Sequence, residues 1–196
     1  MYVRDAKNRE EVWLLDHIEE MGLDDTAFRS RDYVVAIDEV TNEKAGFGRI
    51  RVHRVEGEAV ACELTSIGVL ERWRGQGVGA HVVERLVDHA GDEGFDTVYA
   101  LTDEPEYLAR FGFAGVETDD LPEKLRERLD AKRDGVAPGA VPMAIDVDEF
   151  AMPERLRERF KAATAREPER EEEPEDTAED FGIDPDSATY KYDTGG

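Results

Sequence analysis

Apolar residues recur at every fourth position through Val78, Val82, Leu86 and Ala90. That spacing places them on one side of a helix and predicts one over about 77–93, with Gly94 as its stop. Upstream the pattern shifts to short runs rich in β-branched and aromatic residues. Segment 33–37 reads as a strand closed by the turn-rich 38–42. Segments 45–55 and 58–69 read as two more, joined by a turn at Glu56-Gly57. Shorter runs at 2–4, 97–101 and 141–147 complete the set of strands. Near the N-terminus, Asn8 followed by Glu11 has the form of a cap. It opens a helix expected to carry Val12, Leu15, Ile18 and Met21 inward and to stop at Gly22. Three antiparallel strands followed by a strand–helix–strand crossover give an α/β (α+β) fold with a mixed sheet.

Composition divides the chain in two. Residues 1–165 intermix strands and helices as one domain, whereas 166–196 carry twelve acids against three bases and prolines at 168, 174 and 185. Such a tail buries too little apolar surface to offset its ordering entropy and is expected to be largely disordered. Phe181, Ile183, Tyr190 and Tyr192 are its few apolar side chains. The whole chain has 48 acidic and 25 basic residues, a formal net charge of -23. Six of the bases are lysine, the rest arginine. Two readings fit this excess: a salt-rich cytoplasm that screens the self-repulsion, or an ordinary acidic protein with an acidic tail. Either argues against nucleic acid as a partner. Cys62 is the lone cysteine, and His17, His53, His81 and His89 lack ligand spacing, so neither a disulfide framework nor a metal site is expected. With no secretory pattern at Met1-Tyr2-Val3 and no long apolar stretch, the expectation is a cytoplasmic protein without a membrane partner. A homodimer stays open.

The chemistry concentrates in Arg74-Gly75-Gln76-Gly77-Val78-Gly79, between the strand ending at Val69 and the long helix. The first N–H groups of a helix lack intrahelical partners and sit at the positive end of its dipole. Glycines let a bulky anion approach that backbone. Gln76, Gly77, Val78, Gly79 and Ala80 can therefore aim N–H groups at a phosphate pair, with Arg74 adding charge. A glycine turn that merely packs the helix on the sheet is the alternative. Gly75, Gly77 and Ala80 also satisfy the dinucleotide fingerprint, but residues 70–74 intervene after the strand, and that strand belongs to an antiparallel meander. The P-loop pattern fails because no Gly-Lys-Ser/Thr follows.

Residues 67–79 resemble the central motif of the GNAT family of N-acetyltransferases, [QR]-x-x-G-x-[GA], with Arg74, Gly77 and Gly79 in its three defined places. Glu71 stands where many members have proline. Segment 106–113, ending in Gly112-Phe113, is similar to the family's later helix. The resemblance implies the GNAT acyl-CoA N-acyltransferase fold and acetyl-CoA as cosubstrate, with no metal. It also implies a strand splayed from its neighbour, on which Ile67 and Val69, flanking Gly68, pair with the pantetheine arm, while Gly75 and the rest of the loop hold the pyrophosphate. Glu63, on the same face of that strand as Ile67, becomes the candidate base, and the Val69 N–H the donor to the thioester oxygen. A plain surface carboxylate is the other reading of Glu63. Many members protonate the leaving thiolate with a tyrosine five residues before the final Phe; here Leu108 fills that place. Tyr107 is one residue out, a 100° turn away on a helix, and is read as core packing. Water then protonates the thiolate, with Thr102 a weak alternative. Segment 120–124 looks like the N-acetylglutamate synthase type, which implies a small-molecule amine as acceptor, an amino acid such as glutamate. Arg29, Arg31 and Lys124 are candidate cations on its carboxylates, with plain surface charge the equal alternative. A protein or peptide N-acetyltransferase and a non-catalytic CoA-binding regulatory module are the competing readings.

Overall fold

The computed structural model describes residues 1–166 except 55, 56, 58 and 59. The expectations for the acidic tail, and for Glu56 in the turn, lie outside the described residues. The described residues form seven strands and five α-helices. They are β1 (Tyr2–Asp5), α1 (Glu11–Glu20), β2 (Tyr33–Ile37), β3 (Lys44–His53), β4 (Ala61–Val69), α2 (Val78–Asp92), β5 (Thr97–Thr102), α3 (Pro105–Ala109), β6 (Ala114–Gly115), α4 (Glu123–Asp134), β7 (Val141–Asp146) and α5 (Glu154–Lys161). One sheet joins the strands in the order β1-β2-β3-β4-β5-β7-β6. Among the described strands only β4 and β5 pair in parallel, across the crossover made by α2. Among the described residues no helix is long and apolar enough to cross a membrane.

The mixed α/β sheet follows the sequence reading, and two details differ from it. The N-terminal helix is entered through Lys7, whose N–H donates to the Glu10 carboxylate at 2.8 Å, not through an Asn8–Glu11 cap. Arg4 fixes that carboxylate with two further hydrogen bonds. The buried face also differs: Leu14 and Ile18, four residues apart, point inward with Trp13 and Met21 beside them, while Val12 is 69% exposed. Leu15 is also exposed. The helices α4 and α5 lay beyond the reach of the strand and loop pattern.

Each face of the sheet is covered differently. Under α2, Val78, Val82, Leu86 and Ala90 pack on Val34, Ile50, Leu64, Val98 and Ile145 in the largest apolar cluster, which α5 joins through Leu156 and Phe160. On the opposite face α1 covers Val35, Ile37 and Phe47. On that face too, α4 brings Leu125 and Leu129 onto Leu101. The polar side chains described below fall between these two smaller clusters.

Candidate active site

Strand β4 is paired on one side with β3 along its length. On the other side its pairing with β5 stops at Leu64↔Ala100, although β4 runs on to Val69 and β5 to Thr102. The two strands therefore part, leaving a groove of about 600 Å³. Ser66, at φ 51, marks the irregularity in β4 where the parting begins. The Leu70 N–H donates to the Ala45 carbonyl of the β3 side at 3.0 Å. By antiparallel alternation Val69 and Ile67 then turn their main-chain groups toward the gap. Gly68 serves packing, since a Cβ there would lie 2.8 Å from Met21 Sδ and within 2.6 Å of the Phe47 ring.

The glycine loop closes one end. Gly77 caps α2 in the left-handed region (φ 82), and no side chain caps the N-terminus of that helix. The loop residues Arg74, Gly75, Gly77, Val78, Gly79 and Ala80 all line the groove. A Cβ on Gly79 would sit 2.8 Å from the Tyr107 hydroxyl. Glycine at 79 is therefore required by the close approach of Tyr107, and the main chain of the loop stays open to the groove. Arg74 currently donates from Nε to the Val69 carbonyl at 3.1 Å. Gln76 is turned away: its side-chain amide pairs with the main chain of Thr164, donating at 2.9 Å and accepting at 3.1 Å.

At the other end lies a compact set of charges. Arg49, Arg51 and His53 alternate along β3, with Glu63 and Thr65 beside them on β4. The helix α4 adds Arg128 and Lys132, four residues apart and so on one helical face. Glu63 is 0% exposed. His53 donates to its Oε2 at 2.8 Å, Arg128 donates to both oxygens at 3.1 Å, and Lys132 Nζ lies 3.4 Å from Oε1. Burial alone would push this carboxyl up; the hydrogen bond from His53 and the charges of Lys132 and Arg128 outweigh it and hold it at about 2. Burial also lowers Lys132, an effect Glu63 only partly offsets. Arg128 reaches from Glu63 to Asp24 in the α1–β2 loop. Burial works against the Asp24 carboxylate too, but hydrogen bonds from Thr26 and Arg128 hold it well below the usual range. Arg49, fully buried, donates to the carbonyls of Asp24, Thr26 and Ala27 and pins that loop. Four cations thus surround two carboxylates, and the Arg49 Nε and one Arg51 nitrogen are buried with no hydrogen-bond partner among the described residues.

The residues expected at the site are therefore divided. The groove collects Ile67, Val69 and the loop, together with Thr102. Glu63 stands behind it, shielded by Arg128 and Lys132, of which only Lys132 reaches the lining. The cations expected on the acceptor lie elsewhere: Arg29 pairs with Asp32 and Lys124 with Glu127, both on the surface, and Arg31 is exposed. Tyr107 packs edge-on against Phe111 at 5.4 Å, yet its hydroxyl points into the groove beside Gly79. Tyr107 and Leu108 both lie within α3, and Tyr107 packs on the apolar cluster as expected while also bordering the groove. Burial raises the Tyr107 hydroxyl to about 12 against the opposing charge of Arg110, so it is a neutral donor. Lys132 and Arg128 went unread, although Leu125, Arg128, Leu129 and Lys132 follow helical spacing; charged residues at such positions resemble a solvated face.

The sequence model of the acetyltransferase (GNAT) family matches residues 2–113. An uncharacterised N-acetyltransferase of Chlorobaculum tepidum is 32% identical over 63 residues, which is 32% of this chain and 41% of that protein. The match spans less than half of that relative's length. Among solved structures, a Mycobacterium tuberculosis protein in complex with CoA superposes with a TM-score of 0.60 at 20% identity, covering 74% of this chain and 99% of that one. The Neisseria gonorrhoeae N-acetylglutamate synthase, complexed with coenzyme A and N-acetyl-glutamate, gives a TM-score of 0.58 at 19% identity. There the match covers 74% of this chain and 34% of the synthase. These likenesses establish the fold.

Proposed function

The chain belongs to the acetyltransferase (GNAT) family, and from that premise we propose that it transfers the acetyl group of acetyl-CoA to the amine of a small molecule that carries a carboxylate, such as an amino acid. One observation carries the transferase part: the parted β4 and β5 open onto an uncapped helix N-terminus lined by glycine. Backbone of that shape suits a phosphate pair at the loop and an extended amide arm along β4. Gly77, Val78, Gly79 and Ala80 hold the phosphates in this reading, and Ile67 and Val69 hold the arm. The Val69 N–H faces the gap, where a developing oxyanion would be stabilised. The Tyr107 hydroxyl, neutral and turned into the groove, is the proton donor for the thiolate.

The acceptor class rests on the charges behind the groove. A chain of net charge -23 gathers Arg49, Arg51, Arg128 and Lys132 around only Glu63 and Asp24. Lys132 is already held by Glu63, Thr65 and the Leu101 carbonyl, but it lines the groove, where an acceptor carboxylate would offset the excess of buried cations. Glu63 then holds Arg128 and Lys132 in place. With its carboxyl near 2 it takes no proton from an ammonium ion at neutral pH. The amine therefore enters neutral, and kcat/KM for the acceptor rises with pH up to the acceptor's own amine pKa.

Calorimetry with CoA, followed by free-thiol release from acetyl-CoA across a panel of amines, tests the proposal. CoA binding with release driven by amino acids is expected. No CoA binding would refute the transferase reading. CoA binding without release by any amine would favour a regulatory module, and release with basic peptides alone would favour a peptide N-acetyltransferase.

A further inference from the structure

The helix α5 lies beyond the residues 2–113 that match the family, yet it is fastened to the glycine loop. The Thr164 main chain pairs with the Gln76 amide in both directions, and the Arg166 N–H donates to the Arg72 carbonyl at 3.0 Å. Phe160 stacks on His81 at 3.8 Å, and a Cβ on Gly77 would collide with the Leu156 carbonyl oxygen. The helix carries four cations, in two kinds of surroundings. Arg157 pairs with Glu84 at 2.8 Å and Lys161 with Glu158 at 2.7 Å, both by carboxylates. Arg155 and Arg159 instead line the groove. Arg155 has no hydrogen bond or ion pair among the described residues, and Arg159 reaches only the Gly75 carbonyl, at 3.3 Å. Spaced by four residues, the two arginines stand on one side of the helix, and Arg74 lines the same groove.

We infer that Arg155 and Arg159 bind the phosphates of acetyl-CoA, so that α5 forms the outer wall of the cosubstrate site. Guanidinium forks match phosphate oxygens and hold them by paired, charge-assisted hydrogen bonds. In a chain this acidic, unpaired arginines beside an open helix N-terminus also raise the local concentration of an anionic ligand. The Gln76–Thr164 pairing gives the wall a fixed position relative to the loop. The inference rests on the acetyl-CoA reading above.

The test is calorimetry with CoA and dephospho-CoA on the full chain, its Arg155→Gln/Arg159→Gln variant and an Arg157→Gln control. Both groove-facing arginines are exposed, so the double variant should melt like the parent without ligand. It should bind CoA at least about tenfold more weakly, and Arg157→Gln should bind as the parent does. Loss confined to CoA assigns the arginines to the 3′-phosphate; loss shared with dephospho-CoA assigns them to the pyrophosphate; both support the inference. Tight parental binding that the double variant keeps, or an equal loss in Arg157→Gln, would overturn it alone. A parent protein that binds no CoA would overturn the acetyl-CoA reading, and this inference with it.

Discussion

The two faces of the central sheet perform different tasks with different materials. Beneath α2 the contacts are apolar, aliphatic along Val78, Val82, Leu86 and Ala90 with aromatic side chains such as Trp73 and Phe111 around them, and the glycine loop leads into this helix. Beneath α1 and α4 the aliphatic contacts separate into two patches, and the seam between them holds Arg49, Arg51, His53, Glu63, Arg128 and Lys132. The first face is stabilised by removing apolar surface from water, which is insensitive to pH and charge. The second is held by ion pairs, each of which must offset its own desolvation and so depends on every partner. The proposed function assigns the loop to the phosphates of acetyl-CoA and the charged seam to the acceptor.

Glu63→Gln strikes the polar seam hardest. It leaves Arg128, Lys132 and His53 around a neutral amide and should cost about 3–5 kcal/mol in urea unfolding. Its loss of activity would therefore report stability as much as chemistry. In the parent, the Glu63 carboxyl is depressed when folded, to about 2 from an ordinary 4.5. Its contribution is thus fully present above about pH 4.5 and is lost as pH falls toward 2. Unfolding free energy of Glu63→Gln should fall less steeply over that window than the parent's. On the aliphatic face, Leu86→Ala should cost about 2–5 kcal/mol by leaving a cavity, with the parent's pH dependence unchanged. If Leu86→Ala altered the acid limb or Glu63→Gln did not, the contrast between the faces would fail.

Smaller effects sharpen the assignment of each end of the groove. Lys132→Met should raise the KM of a carboxylate-bearing acceptor by about 10- to 100-fold, the worth of a charged hydrogen bond, while leaving CoA affinity in place. Tyr107→Phe should lower kcat with little change in CoA affinity, and most of the effect should vanish when the thioester carries a leaving thiol of low pKa.

The aliphatic face was legible in the sequence because its signal is periodic. Val78, Val82, Leu86 and Ala90 repeat every four residues, and the glycine loop follows a strand at a recognisable distance. The seam was not. Glu63 is one acid among 48 acidic residues, and nothing local says that it is buried. Its partners come from β3 and from α4, 65 residues downstream at Arg128, and only the folded chain brings them together. Arg29, Arg31 and Lys124 lie on the surface, the second of the two roles their sequence positions allowed. Tyr107 packs against the core as its position suggested, but the approach of its hydroxyl to Gly79 arises only once the glycine loop is folded against it.

The central claim is that the loop end takes acetyl-CoA and the charged end takes the acceptor's carboxylate. Free-thiol release measured on matched pairs, an amino acid and the amine left by removing its α-carboxylate, tests it most directly. The account predicts turnover with the amino acid and at least about tenfold lower kcat/KM with the decarboxylated amine, the difference shrinking in Lys132→Met. Equal or faster release with the decarboxylated amines would contradict it.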